Sequence, residues 1–226
     1  MILIIAEKPS LARNIAAGIG QMSRRDGYLE GQNYLVTWAF GHLFSLVDIE
    51  TYSGASEAST RWRMDNLPCF PDKFRFELRR ENGKKEPDAG VKKQFGIIKT
   101  LCNRPDVDTV VNAGDADREG EIIVRLCIEN ALTSDKKLVR LWLPDQTPET
   151  VAQALREMKS ESEYDSLANE GFARTYIDWL YGVNLTRYAT LRTGTLLRVG
   201  RVIVPIVKAI YDRDMAIKNF VPDIYY

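Results

Sequence analysis

Short apolar runs that alternate with helix-patterned segments constrain this chain more than any other feature. Met1–Ala6 is a continuous apolar run rich in β-branched residues, 107–114 reads VDTVVNAG, and 137–143 reads KLVRLWL. Runs of this kind suit strands buried on both faces of a parallel sheet. The segments between them carry a different period. Leu11, Ile15 and Ile19 recur every four residues before Gly18 and Gly20 stop the pattern. Val91, Phe95, Ile98 and Leu101 or Cys102 make a second helical face, and Ile122, Ile123, Leu126 and Leu132 a third. Thr147 and Pro148 read as the N-cap and first position of a fourth helix, over 147–158. Strands alternating with helices predict an α/β fold, a mostly parallel, Rossmann-like sheet with helices on both faces.

Two stretches depart from that pattern. The segment 34–46 reads as a strand region with a turn at Gly41, and 48–90 as an irregular excursion with a strand at 74–78. Beyond residue 160 the strand pattern stops. Two long helical segments follow, separated by Thr193-Gly194, with Pro205 beginning or kinking the second. The predicted organisation is an α/β domain over 1–155 and a partial, mainly α-helical domain over 156–226, with no internal repeat.

Charge divides along the same lines. The 31 basic and 31 acidic residues cancel, which excludes a whole-molecule positive field and leaves nucleic-acid binding to a local patch. From 171 onward eight Lys or Arg face four Asp, so the helical region is the basic part. Cys69, Cys102 and Cys127 show no C-x-x-C spacing. That argues against a zinc site or a disulfide framework and suits a reducing cytoplasm. The apolar N-terminal run is too short for a signal peptide or a membrane span.

The chemistry concentrates at 113–121, AGDADREGE, where Asp115, Asp117, Glu119 and Glu121 occupy every second position. Asp115 lies just past the end of one apolar run and Glu7 just past another. Ligands of open α/β sheets bind beyond the carboxyl ends of strands. If the two strands are neighbours, Glu7, Asp115 and Asp117 converge. Clustered carboxylates need protons or a cation to coexist, and hard oxygen donors of this kind select Mg²⁺. D-x-D-x-E alone is equally a solvated acidic turn at a helix start; the strand-end Glu7 moves the balance toward a metal.

The same residues carry a resemblance. IIAEKPSLAR (4–13) and GDADREGE (114–121) resemble the Toprim domain of type IA DNA topoisomerases, most closely the topoisomerase III branch. FGHLFSL (40–46), LVRLW (138–142), ARTYIDWLYGVNLTR (173–187) and LRVGRVIVPIVKAIYDRDMAIKNFVP (197–222) agree in order. The resemblance implies a catalytic Glu7 with metal and acid–base roles, Lys8 on the scissile phosphate, and Mg²⁺ held by Glu7, Asp115, Asp117 and Glu119. It implies DNA contacts from His42, Arg174, Trp179, Arg187, Arg192, Arg198, Gly200 and Arg201. The implied partners are single-stranded or negatively supercoiled DNA and the remaining domains of a longer protein, with no membrane. The implied setting is a bacterial cytoplasm, associated with the nucleoid.

Ile203, Val204 and Arg198 stand where the family has Gln, Thr and a small residue, and Ala116 where Pro is common. Ile203 and Val204 cannot make the usual polar contacts, whereas Arg198 adds charge. Type IA enzymes cleave one strand with a tyrosine carried in a later domain, and none of the ten tyrosines here matches it. The chain is therefore expected to be the N-terminal part of a strand-passing enzyme, inactive alone. Two other readings compete: a stand-alone Toprim nuclease using metal-activated water, and a non-catalytic single-stranded-DNA-binding module.

Overall fold

The computed structural model describes residues 1–52, 61–81 and 86–222. In chain order the elements are β1 (Ile2–Ala6), α1 (Pro9–Ile19), β2 (Ser23–Arg25), β3 (Tyr28–Gly31), β4 (Tyr34–Trp38), β5 (Phe44–Leu46), α2 (Ile49–Tyr52) and β6 (Phe76–Leu78). Then come α3 (Ala89–Cys102), β7 (Thr109–Ala113), α4 (Arg118–Ala131), β8 (Lys137–Arg140), α5 (Pro148–Ala154), β9 (Lys159–Ser160), α6 (Asp165–Thr193) and α7 (Ile203–Lys218). The chain divides into two compact units. One comprises Met1–Leu46 with Arg75–Ala173, the other Val47–Phe74 with Arg174–Tyr226.

The first unit is built on a sheet of order β2-β3-β4-β1-β7-β8-β9. Its centre, β4-β1-β7-β8, is parallel throughout. Both edges are antiparallel, so the sheet is mixed. β5 and β6 pair separately as a short antiparallel ribbon. Along β1 the side chains alternate between two cores, as strand geometry requires. Leu3 and Ile5 join Leu101, Val124 and Ile128 of α3 and α4, while Ile4 and Ala6 join Leu11, Ile15 and Val151 of α1 and α5. All four β1 residues are fully buried. Each such Ile or Leu stabilises the fold by about 1.5–3 kcal/mol, so the β1–β7 pair is the rigid centre of the unit.

The helix starts follow from their caps. Asp88 accepts from the amides of Gly90 (2.8 Å) and Val91 (3.0 Å), Asp117 from Gly120 (2.7 Å), and Thr147 from Thr150 (3.4 Å). α5 ends at Ala154, short of the helical pattern that runs to 158. β2 and β3, which carry no apolar alternation, were not predicted.

In the second unit, the excursion contributes α2, a single 3₁₀ turn at Met64–Asn66 and the irregular chain to Phe74. The loop compositions at 53–60 and 82–85 lie outside the described residues, as does Tyr226. The long helical pattern after 160 resolves into α6 and α7, with Pro205 in the first turn of α7, where its missing N–H is harmless. Among the described residues no helix is long and apolar enough to cross a membrane.

Candidate active site

β1 and β7 are parallel neighbours, with Ala6 opposite Ala113. Glu7 and Gly114-Asp115 therefore leave the sheet side by side. Glu7 Oε2 accepts the backbone N–H of Asp115 at 3.2 Å. The Lys8 ammonium donates to Asp115 Oδ2 at 2.5 Å. The second oxygen, Asp115 Oδ1, is buried and has no hydrogen-bond partner among the described residues. Burial pushes the Glu7 carboxyl above its ordinary range. The Asp115 amide opposes that rise, whereas the negative charges of Asp115 and Asp117 add to it. The hydrogen bond to Asp115 holds Lys8 above its usual value, firmly protonated.

The remaining predicted ligands are spread out. Asp117 spends Oδ1 on the α4 N-cap. Glu119 Oε1 lies 3.3 Å from Nε2 of His42. His42 is brought there by the chain beyond β4, where the Gly41 amide donates to the Glu7 carbonyl at 3.0 Å and Gly41 takes a φ of 70°. Among the described residues, no three His, Cys, Asp or Glu side chains form a group that could hold a metal ion.

The second unit holds the other predicted residues. On α6, Trp179 meets Tyr52 edge-on (5.8 Å) and Phe74 edge-on (5.7 Å), and Phe74 stacks flat on Tyr176 at 4.1 Å. Arg201 forks onto Asp178 at 2.5 and 3.3 Å, and Arg174 lies 3.6 Å from the same carboxylate. Those contacts hold the Asp178 carboxyl below its usual range, with the Arg201 hydrogen bond the largest cause. Arg187 is buried in a bidentate pair with Glu50. Arg192 and Arg198 are exposed. A Cβ at Gly200 would meet nothing within 4 Å, so its backbone faces open space. Ile203 and Val204, where the family's polar residues were missed, are exposed apolar side chains at the start of α7.

The family model for the Toprim domain matches residues 2–142, more than half of the chain. The chain belongs to the Toprim family. A second model, described as DNA topoisomerase, matches residues 162–226 of this Toprim protein. It is similar to the DNA topoisomerase 3 of Bacillus subtilis (strain 168), with 35% identity over 99% of the chain and 29% of the relative. The topoisomerases 3 of Bacillus anthracis and of Bacillus thuringiensis (strain Al Hakam) are 36% identical over the same shares. The chain thus spans 29% of the length of these relatives.

Within the Toprim unit the acidic loop is held by residues that the sequence motif alone did not single out. Arg140, fully buried on β8, donates to the carbonyls of Gly114 (2.9 Å), Asp115 (2.8 Å) and Leu141 (2.8 Å) and to Glu121 Oε2 (2.6 Å). Glu121, the fourth carboxylate of the run, is fully buried and also takes Arg125 at 3.0 Å. It is a structural counter-ion, not a ligand. Gly114 and Gly120 press together. A Cβ on Gly114 would lie 1.9 Å from the Gly120 carbonyl, and one on Gly120 2.4 Å from the Asp115 amide. The available signal for Arg140 was a charged residue inside the apolar run LVRLW.

A divalent cation fits part of this set. Asp115 Oδ1 is a buried hard oxygen without a partner, beside the Glu7 carboxylate, which is what a cation would repair. Asp117 and Glu119 have other partners in this arrangement.

Proposed function

We propose that this chain is the Toprim-bearing part of a type IA DNA topoisomerase of the topoisomerase III kind. Such an enzyme cuts, passes and rejoins one DNA strand, relaxing negative supercoils or decatenating. The observation that carries the reading is the convergence of Glu7, Lys8 and Asp115 at the ends of two adjacent parallel strands, with one Asp115 oxygen left unpartnered.

Glu7 and Asp115 would hold Mg²⁺, with Asp117 and Glu119 as further donors. A bound Mg²⁺ would neutralise charge on the DNA phosphate and orient the strand for rejoining. Lys8, a compact ammonium at the same point, binds a single phosphate oxygen. Glu7, pushed upward by burial, can hold a proton for the leaving oxygen.

The second unit binds the single strand. Trp179 offers an aromatic ring on which a base can stack. Arg174, Arg192, Arg198 and Arg201 supply positive charge, with Gly200 allowing close backbone approach and His42 a further contact from the Toprim unit. The partners are single-stranded or negatively supercoiled DNA and the other domains of the longer enzyme, in a bacterial cytoplasm. The nucleophilic tyrosine is supplied by one of those domains.

Three measurements on the 226-residue chain test this. Mg²⁺ should raise its melting temperature, labelled oligo(dT) should bind in a salt-dependent manner, and supercoiled plasmid should remain unrelaxed. Relaxation by the chain alone would overturn the assignment of the nucleophile to another domain. Mg²⁺-dependent cutting with no protein–DNA adduct would point to a nuclease instead.

A further inference from the structure

Arg187 was expected to touch DNA, yet its side chain is 9% exposed. Its Nη1 and Nη2 donate to the two oxygens of Glu50 at 2.5 and 3.0 Å. The guanidinium lies over the ring of Trp62, 5.2 Å from the centroid. One helical turn earlier on α6, the Asn184 amide accepts from the Cys69 N–H at 2.7 Å and donates to the Cys69 carbonyl at 3.0 Å. It pairs with that backbone as a neighbouring strand would. The segment around Trp62 and Cys69 is thus fixed to one face of α6 at two points, residues 184 and 187.

We propose that Trp62 is a base-stacking residue for single-stranded DNA, and that Arg187 is a positioning residue for its ring, not a phosphate contact. The proposal rests on the single-stranded-DNA reading above. Trp62 is half-buried, and the Arg187 guanidinium lies over its ring. An aromatic ring stacked on an arginine keeps its other face for a second planar group. Bases stack on such faces with little regard to sequence. Exposed Arg61 and Arg63 flank it in the chain, Arg63 forked onto Asp65, giving the basic–aromatic interleaving of a single-strand path. The Glu50 fork removes the freedom of Arg187, so the ring is held before any base arrives and little ordering remains to be done on binding.

The alternative, in which Arg187 grips a phosphate and Glu50 competes with it, predicts opposite results. Binding of a labelled oligo(dT) of about 15 nucleotides, a length within the usual site size, is measured over a salt series. Trp62→Ala should weaken binding roughly tenfold and Trp62→Phe by less, since stacking is retained by a smaller ring. Quenching of tryptophan fluorescence on binding should shrink in Trp62→Phe. Glu50→Gln should weaken binding, because the guanidinium loses its anchor. The double variant Glu50→Gln/Arg187→Gln should leave the slope of log affinity against log salt unchanged. Loss of one phosphate contact would flatten that slope by about 0.7. Unchanged affinity in Trp62→Ala, tighter binding in Glu50→Gln, or a flatter slope in the double variant overturns the proposal. If the wild-type chain binds no oligo(dT) at low salt, the broader DNA reading fails and this proposal with it.

Discussion

The Lys8 ammonium lies 2.5 Å from Asp115 Oδ2, while Oδ1 of the same carboxylate is buried without a partner among the described residues. One aspartate is therefore half-neutralised, and an added cation would compete with Lys8 for its charge. Mg²⁺ should raise the melting temperature of the wild-type chain by mass action, and chelation should reverse the rise. Asp115→Asn should abolish the response. Lys8→Gln should strengthen it, because the competing ammonium is gone, while weakening phosphate binding. A Mg²⁺ response that survives in Asp115→Asn would place the cation elsewhere.

The contact between Gly114 and Gly120 makes a second, sharper test. Any side chain at Gly114 drives a Cβ into the Gly120 carbonyl, 1.9 Å away, and backbone cannot swing aside as a flexible side chain can. Gly114→Ala should cost roughly 3 kcal/mol, the upper end for overpacking. Gly96 is the control. It lies inside α3, and a Cβ there would meet nothing within 4 Å. Gly96→Ala should stabilise by about 0.5–1 kcal/mol through helix propensity alone. Thermal or denaturant melting of the two variants reads both signs.

How much of this was legible depends on whether the signal was local. β1 and β7 could be found because runs buried on both faces leave continuous apolar sequence, and their ends placed Glu7 and Asp115 correctly. The strand region over 34–46 contains β4, but the β2–β3 edge beside it was not found. Asp26-Gly27, a strong two-residue hairpin signal, closes the first turn. Gln32-Asn33 closes the second with both φ values positive, 52° and 67°, without the usual glycine. The roles of the acidic residues split for a reason that spacing cannot show. Asp117 caps its own helix locally, whereas Glu121 is claimed by Arg140 from another strand and Glu119 by His42 from a distant loop. Likewise, the place of the irregular excursion rests on Glu50–Arg187 and Cys69–Asn184, pairs more than a hundred residues apart.

Arg140 and Glu121 form a fully buried ion pair. Removing Arg140 leaves the buried Glu121 with Arg125 as its charge partner and Oε2 unpaired, a penalty toward the lower end of about 3–5 kcal/mol, whereas replacing both with apolar groups of similar volume can be nearly neutral. Arg140→Met should therefore destabilise severely, and Arg140→Met/Glu121→Leu should recover part of the loss. The recovery has a ceiling, because Arg140 also satisfies the Gly114 and Asp115 carbonyls that shape the acidic loop. The double variant should fold and yet respond less to Mg²⁺ than wild type. Full recovery of both properties would show that Arg140 only balances charge.

The half-buried Glu50 and the buried Glu161 should give opposite pH dependences. Burial works to raise the Glu50 carboxyl, but the hydrogen bonds and charge of Arg187 outweigh it and hold the group below its ordinary value. Its contribution is present above the unfolded-state value of about 4.3 and is lost as pH falls through the lower folded value. Burial raises Glu161, and the charge of Arg125 only partly offsets it. For a raised carboxyl the contribution is full below about 4.3 and disappears as pH rises through the folded value. Glu50→Gln should therefore lower the melting temperature most above that range and least in acid. Glu161→Gln should gain on wild type as pH rises above it, since an amide at that site never has to ionise while buried and can still meet the Asn112 side chain, whose amide nitrogen lies 3.4 Å from Glu161 Oε1. Melting curves of the two variants across the acid-to-neutral range decide the matter. Parallel pH profiles for both would show that neither carboxyl is perturbed by its surroundings in the way its partners dictate.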